Sequence, residues 1–153
     1  MIGHRRVAKN PPNLHKILKD RSYFQVVVVR NPRDTVISCI AHSEYLRHGS
    51  SKNIKQVLVD TLREYCNAID NFLENVQHIN LYDFEYLDWA VIDIANKAKI
   101  DIPDSFVLTP KHYSVSDTDF YQDLLDADID DSLFEEANKK YESILSFCQR
   151  PAD

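Results

Sequence analysis

Arg30 and Ser38 stand eight positions apart, at the two ends of the string RNPRDTVIS. Between them they offer a planar guanidinium and a hydroxyl. A guanidinium can grip a phosphate with two parallel N–H donors, and a hydroxyl adds a further donor. Arg33 lies in the same string and brings a second positive charge. The chemistry these residues suit is the binding of an anion, a phosphate above all. His42 follows Ser38 by four positions, so on one helix the two share a face. With an ordinary pKa near 6.5, histidine is the usual candidate for moving a proton, and His42 is better placed for it than His15 or His112. Each of the three also has an ordinary packing or surface reading, just as Arg30 by itself has an ordinary reading as a strand-end arginine in an ion pair.

The elements around this string decide between those readings. Val26 to Val29 are four consecutive β-branched residues, a run too short for a globular helix and typical of a strand buried on both faces of a parallel sheet. From Thr35 the apolar residues Val36, Ile37, Ile40 and Ala41 recur at helical spacing, with Asp34 as N-cap or first-turn acid. A strand, a polar turn and a helix therefore follow one another without a gap. That order places Arg30 at the carboxyl end of a buried strand, where open α/β sheets bind ligands, with a helix N-terminus aimed at the same crevice.

The rest of the chain reads as further α/β units. Arg5 to Lys9 is a candidate short strand ended by Pro11 and Pro12, and Asn13 can cap a helix bearing Leu14, Ile17 and Leu18. A long amphipathic helix follows the polar loop at His48 to Asn53. Its stripe of Val57, Leu58, Thr61, Leu62, Tyr65, Ala68, Ile69, Phe72 and Leu73 is expected in the core. His78 to Tyr82 predicts another strand, and Leu87, Ala90, Val91, Ile94 and Ala95 the inner face of another helix, closed by Asp101-Ile102-Pro103. Few signals mark Asp104 to Asp130. A last helix from Ser132 to about Phe147, capped by Asp130 or Asp131, carries Leu133, Ala137, Tyr141, Ile144 and Leu145. The expected fold is one α/β domain over residues 1–153, with a small, mainly parallel sheet of about three strands flanked by helices.

Composition narrows the function classes. The 153 residues, 44% of them hydrophobic, suffice for one core but not for two ordinary domains. A net charge of −6 argues against broad binding of nucleic acid polymers, which needs a basic face. The bases nevertheless gather in the N-terminal third, from His4 to Arg33, as a local anion pocket requires. Three cysteines without metal spacing are expected to be reduced thiols. No apolar run approaches the roughly 20 residues of a membrane span. A cytoplasmic protein without membrane association is expected.

The string from Arg30 to Asp34, followed by Ser38, closely resembles the 3′-phosphate-binding motif of sulfotransferases that use 3′-phosphoadenosine 5′-phosphosulfate (PAPS). The resemblance implies that Arg30 and Ser38 hold the 3′-phosphate of PAPS or of its product, adenosine 3′,5′-bisphosphate. Two further segments match in order. Lys9-Asn10-Pro11 stands where many members carry Lys-x-Pro or Lys-Thr-His, which gives Lys9 the role of stabilising charge on the bridging oxygen. The histidine that serves as base in the second form is replaced here by Pro11, so a base must come from elsewhere. The strand and helix that end at Lys99 to Pro103 match the family's later unit. The resemblance spans residues 4 to 103 and implies the sulfotransferase version of the P-loop fold, with no metal. The acceptor, a hydroxyl or an amine, is left unspecified.

Family members also carry an earlier strand and a Pro-Lys/Arg-Ser-Gly-Thr-Thr-type loop that cradles the 5′-phosphosulfate. Neither Gly3 nor Gly49, the only glycines, lies in such a loop. Two expectations follow: the carboxyl-terminal part of a split or truncated enzyme, truncated at the N-terminus, or a non-catalytic nucleotide-binding or interaction module on the same scaffold. Without that strand a sheet edge is expected to be left unpaired, which favours a homodimer or a partner chain.

Overall fold

A computed structural model describes residues 14–19, 22, 24–42, 54–106 and 129–152. Among them the chain forms helix α1 (Leu14–Lys19), strand β1 (Val26–Val29), helix α2 (Pro32–His42), helix α3 (Ile54–Glu74), strand β2 (Asn80–Asp83), a 3₁₀ turn (Phe84–Tyr86), helix α4 (Leu87–Ala98), a second 3₁₀ turn (Asp131–Phe134) and helix α5 (Glu135–Leu145). The architecture is α/β. The candidate strand at Arg5 to Lys9 lies outside the described residues, so the sheet described has two strands where about three were expected.

β1 and β2 pair in parallel, with Val26 opposite Asn80 and Val29 opposite Asp83. Parallel strands cannot be joined by a hairpin, and here the crossover carries α2 and α3. The ladder continues backward through Asn80, whose backbone N–H donates to the Gln25 carbonyl at 2.9 Å. On the far edge of β2 the chain beyond α5 returns: the Gln149 N–H donates to the Leu81 carbonyl at 2.8 Å, and Tyr82 and Gln149 form a parallel bridge.

Alternation along the strands divides the sheet into two faces. Val27, Val29 and Leu81 point into the main core with Leu18, Val36, Ile37, Ile40, Leu58, Ile69, Phe134 and Ile144, supplied by α1, α2, α3 and α5. Tyr82 points the other way, with its ring centroid 6.0 Å from that of Trp89 in α4. Helices thus cover both faces. Burial along β1 is less complete than its sequence predicts, since Val26 is exposed, Val27 and Val28 are half-buried, and Val29 alone is buried. Among the described residues only β2 flanks the strand.

Local chemistry sets the helix boundaries. α2 starts earlier than its apolar periodicity predicts, because Asn31 and not Asp34 is the cap. The Asp34 N–H donates to Asn31 Oδ1 at 2.9 Å, and Asn31 Nδ2 donates back to Asp34 Oδ2 at 2.8 Å. Pro32 takes the first helical position, where a missing N–H is harmless. In α3 the buried residues are Leu58, Leu62, Tyr65, Cys66, Ala68, Ile69 and Phe72, with Val57, Thr61 and Leu73 at the half-buried margins of the stripe. Each fully buried Leu, Ile or Phe contributes roughly 1.5–3 kcal/mol. α4 stops at Lys99, which takes a left-handed conformation (φ 56°) and donates its N–H to the Ala95 and Asn96 carbonyls. Asp130 caps the last helical unit by accepting the Ser132 N–H at 2.9 Å.

Candidate functional site

The carboxyl end of the two-strand sheet is formed by the residues that follow β1 and β2. Arg30 leaves β1 beside Phe84, which leaves β2, and the register of the ladder makes them neighbours. The Arg30 guanidinium lies over the Phe84 ring, 4.6 Å from its centroid, a cation–π contact. Its side chain is only 25% exposed. The backbone beneath it is fixed from two directions: the Arg30 carbonyl accepts from the Tyr65 hydroxyl at 2.8 Å and from Thr35 Oγ1 at 3.3 Å.

Arg30 already has an anionic neighbour. Its guanidinium lies 3.4 Å from Asp34 Oδ2, in the first turn of α2. A carboxylate stabilises that position through the helix dipole, and it stands where an incoming anion would sit. The first-turn N–H groups are also largely engaged: those of Asp34 and Thr35 both donate to Asn31, and Pro32 has none. The helix N-terminus therefore offers an anion less than the strand–turn–helix order alone suggests, and Arg30 is the main donor at this end.

Ser38 lies further along α2 than its distance from Thr35 implies. Because the helix begins at Pro32, Ser38 is nearly two turns in, roughly 9 Å along the axis. It is half-buried and stands one turn after Asp34 on the same helix face. The structure thus brings Arg30 to the foot of the helix face that carries Ser38. His42 is the last residue of α2; Lys9 and His112 lie outside the described residues. Arg33 is engaged elsewhere: its guanidinium pairs with Asp131 and lies 4.9 Å from the Phe134 ring centroid, bracing α2 against the start of α5.

The end of β2 carries a second polar group that sequence reading missed. Asp83 is 2% exposed, and a buried carboxylate must be compensated. It accepts the Glu85 N–H at 3.1 Å and the Tyr141 hydroxyl at 3.4 Å, and Arg150 approaches to 3.8 Å. Its charge is felt nearby. Burial first, then Asp83, push Tyr141 up to about 12, and the same two causes push Cys148 up to about 11. Both groups are therefore neutral at physiological pH. A parallel strand ending in Asp-Phe-Glu before a helix was legible as a turn, but the partners of Asp83 come from α5 and the residues after it, where no local signal points to them.

A separate cavity of about 250 Å³ lies between α3 and α5, lined by Leu62, Arg63, Cys66, Asp70 and Glu136 among others. It is not at the sheet end. Burial and the nearby Glu136 carboxylate raise the Cys66 thiol, so this cavity does not present a thiolate. Among the described residues no three of His, Cys, Asp and Glu gather as a metal site, and no helix is long and apolar enough to cross a membrane.

No family model, curated protein or solved structure matches the chain.

Proposed function

We propose that the protein is a sulfotransferase-like domain of the P-loop type that binds PAPS or adenosine 3′,5′-bisphosphate at the carboxyl end of its sheet. The observation that carries this reading is Arg30, three-quarters buried, held on Phe84 at a strand end, ahead of a helix whose next face carries Ser38. Arg30 and Ser38 are proposed to hold the 3′-phosphate, and Arg33, paired with Asp131, is proposed to join them only if an incoming anion draws it from that carboxylate. In the transfer, an acceptor hydroxyl or amine forms a bond to sulfur as the bond from sulfur to the bridging phosphate oxygen breaks. Adenosine 3′,5′-bisphosphate leaves, and Lys9 is proposed to stabilise the charge building on that oxygen. The acceptor's proton passes to a base, for which His42 is the proposed residue. The three cysteines are free thiols, which supports a reducing compartment such as the cytoplasm.

The pairing of Arg30 with Asp34 supports a second reading, a nucleotide-binding or interaction module that does not catalyse. In either case the edge of β1 that β2 does not cover is the proposed contact for a second copy or a partner chain, because the returning segment at Gln149 occupies the other edge of the sheet.

Calorimetry with adenosine 3′,5′-bisphosphate tests the binding site. Wild-type protein is expected to bind and Arg30→Ala to lose about 2 kcal/mol or more of affinity; equal binding by the two would remove Arg30 from the site. Turnover of labelled PAPS across a panel of hydroxyl and amine acceptors then separates the enzyme from the module. Light scattering over a concentration series tests self-association, and a monomer throughout, with no partner recovered on pull-down, would overturn the edge contact.

A further inference from the structure

The residues after α5 bring a second arginine to the same end of the sheet. Gln149 is fixed to the outer edge of β2 by its backbone bond to Leu81 and by its side chain. Gln149 Nε2 donates to Asn80 Oδ1 at 3.3 Å, while Oε1 accepts from the Lys97 ammonium. Tyr82 is paired with Gln149, so the register carried one residue on sets Arg150 beside Asp83, just as Asp83 stands beside Val29. Arg30 follows Val29. The backbones of Arg30 and Arg150 therefore flank the carboxyl end of β2, two strand spacings apart across the sheet and one residue apart along it, roughly 10 Å.

The contacts of Arg150 leave donors over. Its guanidinium is 3.8 Å from Asp83 Oδ2, longer than a charge-assisted hydrogen bond, and lies 5.8 Å from the Tyr86 ring centroid. The side chain is 46% exposed, while Asp83 is 2% exposed. A guanidinium has five N–H donors, and a single distant carboxylate cannot engage them all. Among the described residues, a buried carboxylate and an aromatic ring are the contacts that orient the group, and neither takes up all of its donors. Phe84 and Tyr86, the rings under the two arginines, belong to one 3₁₀ turn, so the turn that ends β2 sets both guanidinium positions together.

We propose that Arg150 holds a second anionic group of the ligand bound at Arg30. The ligand class is a nucleoside with phosphates at both its 3′ and 5′ positions, and the 5′ group lies toward Arg150. This rests on the reading of Arg30 as the 3′-phosphate site.

Calorimetry on the full chain with adenosine 3′,5′-bisphosphate, adenosine 3′-phosphate and adenosine 5′-phosphate tests it, using wild type, Arg150→Ala and Arg150→Lys. Arg150→Ala is expected to weaken the bisphosphate about tenfold or more while the 3′-monophosphate binds as to wild type, and Arg150→Lys is expected to recover part of the loss. The unchanged 3′-monophosphate also shows that the variant is folded. If wild type binds the bisphosphate and Arg150→Ala binds it equally well, or loses both ligands in equal measure, Arg150 does not hold the 5′ group and the reading of Arg30 survives. If wild type binds none of the three ligands, both fall.

Discussion

The Tyr65 hydroxyl donates to the Arg30 carbonyl at 2.8 Å, which ties the middle of α3 to the residue that closes β1. Tyr65 is 1% exposed, and burial, followed by the neighbouring Tyr141 and Cys66, raises its pKa. The hydroxyl is therefore protonated, and able to donate, at physiological pH. Tyr65→Phe keeps the ring and removes the donor, leaving Thr35 Oγ1 as the side-chain donor to that carbonyl. A loss of about 1–2 kcal/mol in denaturant melts is expected, together with a modest loss of nucleotide affinity that stays smaller than the loss from Arg30→Ala.

Asp34 competes with any anion that approaches Arg30. Asp34→Asn keeps an oxygen acceptor beside Asn31 but removes the charge, so adenosine 3′,5′-bisphosphate should bind several-fold more tightly in a calorimetric titration. The same change removes a first-turn acid and should cost about 0.3–1 kcal/mol of stability. Tighter binding in a less stable protein is the expected signature, and weaker binding would mean that Asp34 orients Arg30 for its ligand.

The network on the α4 face of the sheet makes part of the stability depend on acid. Tyr82 donates to Asp93 Oδ2 at 2.7 Å, and the Lys97 ammonium lies 2.8 Å from the same oxygen. Burial pushes the Asp93 carboxyl up, but the hydrogen bonds from Lys97 and Tyr82 outweigh it, and the carboxyl titrates below its ordinary range. A folded pKa below the unfolded one adds stability above the unfolded value, near 3.9, and that stability is lost as pH falls through the folded value. Because Lys97 is partly exposed, solvent screening holds the contribution to about 1 kcal/mol or less. Asp93→Asn should therefore be less stable than wild type in urea melts near neutral pH. The gap should close as the medium is taken below the folded pKa of Asp93.

Cys148 reports on the charges at the end of β2. With its thiol pushed up to about 11, roughly one thiol in a thousand is ionised near pH 8. Iodoacetamide should label Cys148 far more slowly in the native protein than in urea. Among the described residues, Arg150 is the neighbour that lowers this thiol, so Arg150→Ala should slow native labelling further, and peptide mass spectrometry can follow the rate.

What the sequence makes legible is what depends on neighbours close along the chain. Val26 to Val29 read as a strand because four β-branched residues fit a pleated surface, and α3 reads as a helix because its stripe repeats over 21 residues. Helix ends were harder. With only two glycines in the chain, α4 stops on a left-handed lysine, a choice that carries no local signature, and Asp34, read as N-cap or first-turn acid, is the first-turn acid behind an Asn31 cap. At the candidate site, Arg30 could be picked from its place at a strand end. Its partner Asp34 lay four residues on, at a spacing that suits an ion pair. Phe84, Asp83 and Arg150 join the site through the register of β2 with segments far away in the chain, which periodicity does not encode.

The parallel pairing also sets the order in which the molecule can assemble. Among the described residues the sheet joins positions far apart in the chain: the Asn80 N–H meets the Gln25 carbonyl and the Gln149 N–H the Leu81 carbonyl, and side-chain bonds link the same segments across 55 residues and 69. Closing such loops costs entropy before any bond returns it, whereas α3 can form within its own turns. The sheet end that carries both arginines is thus a late product of folding, and contact order of this kind favours a slow route. Arg150, tied to the longer of these closures, takes its place only once the segment after α5 has docked on the edge of β2.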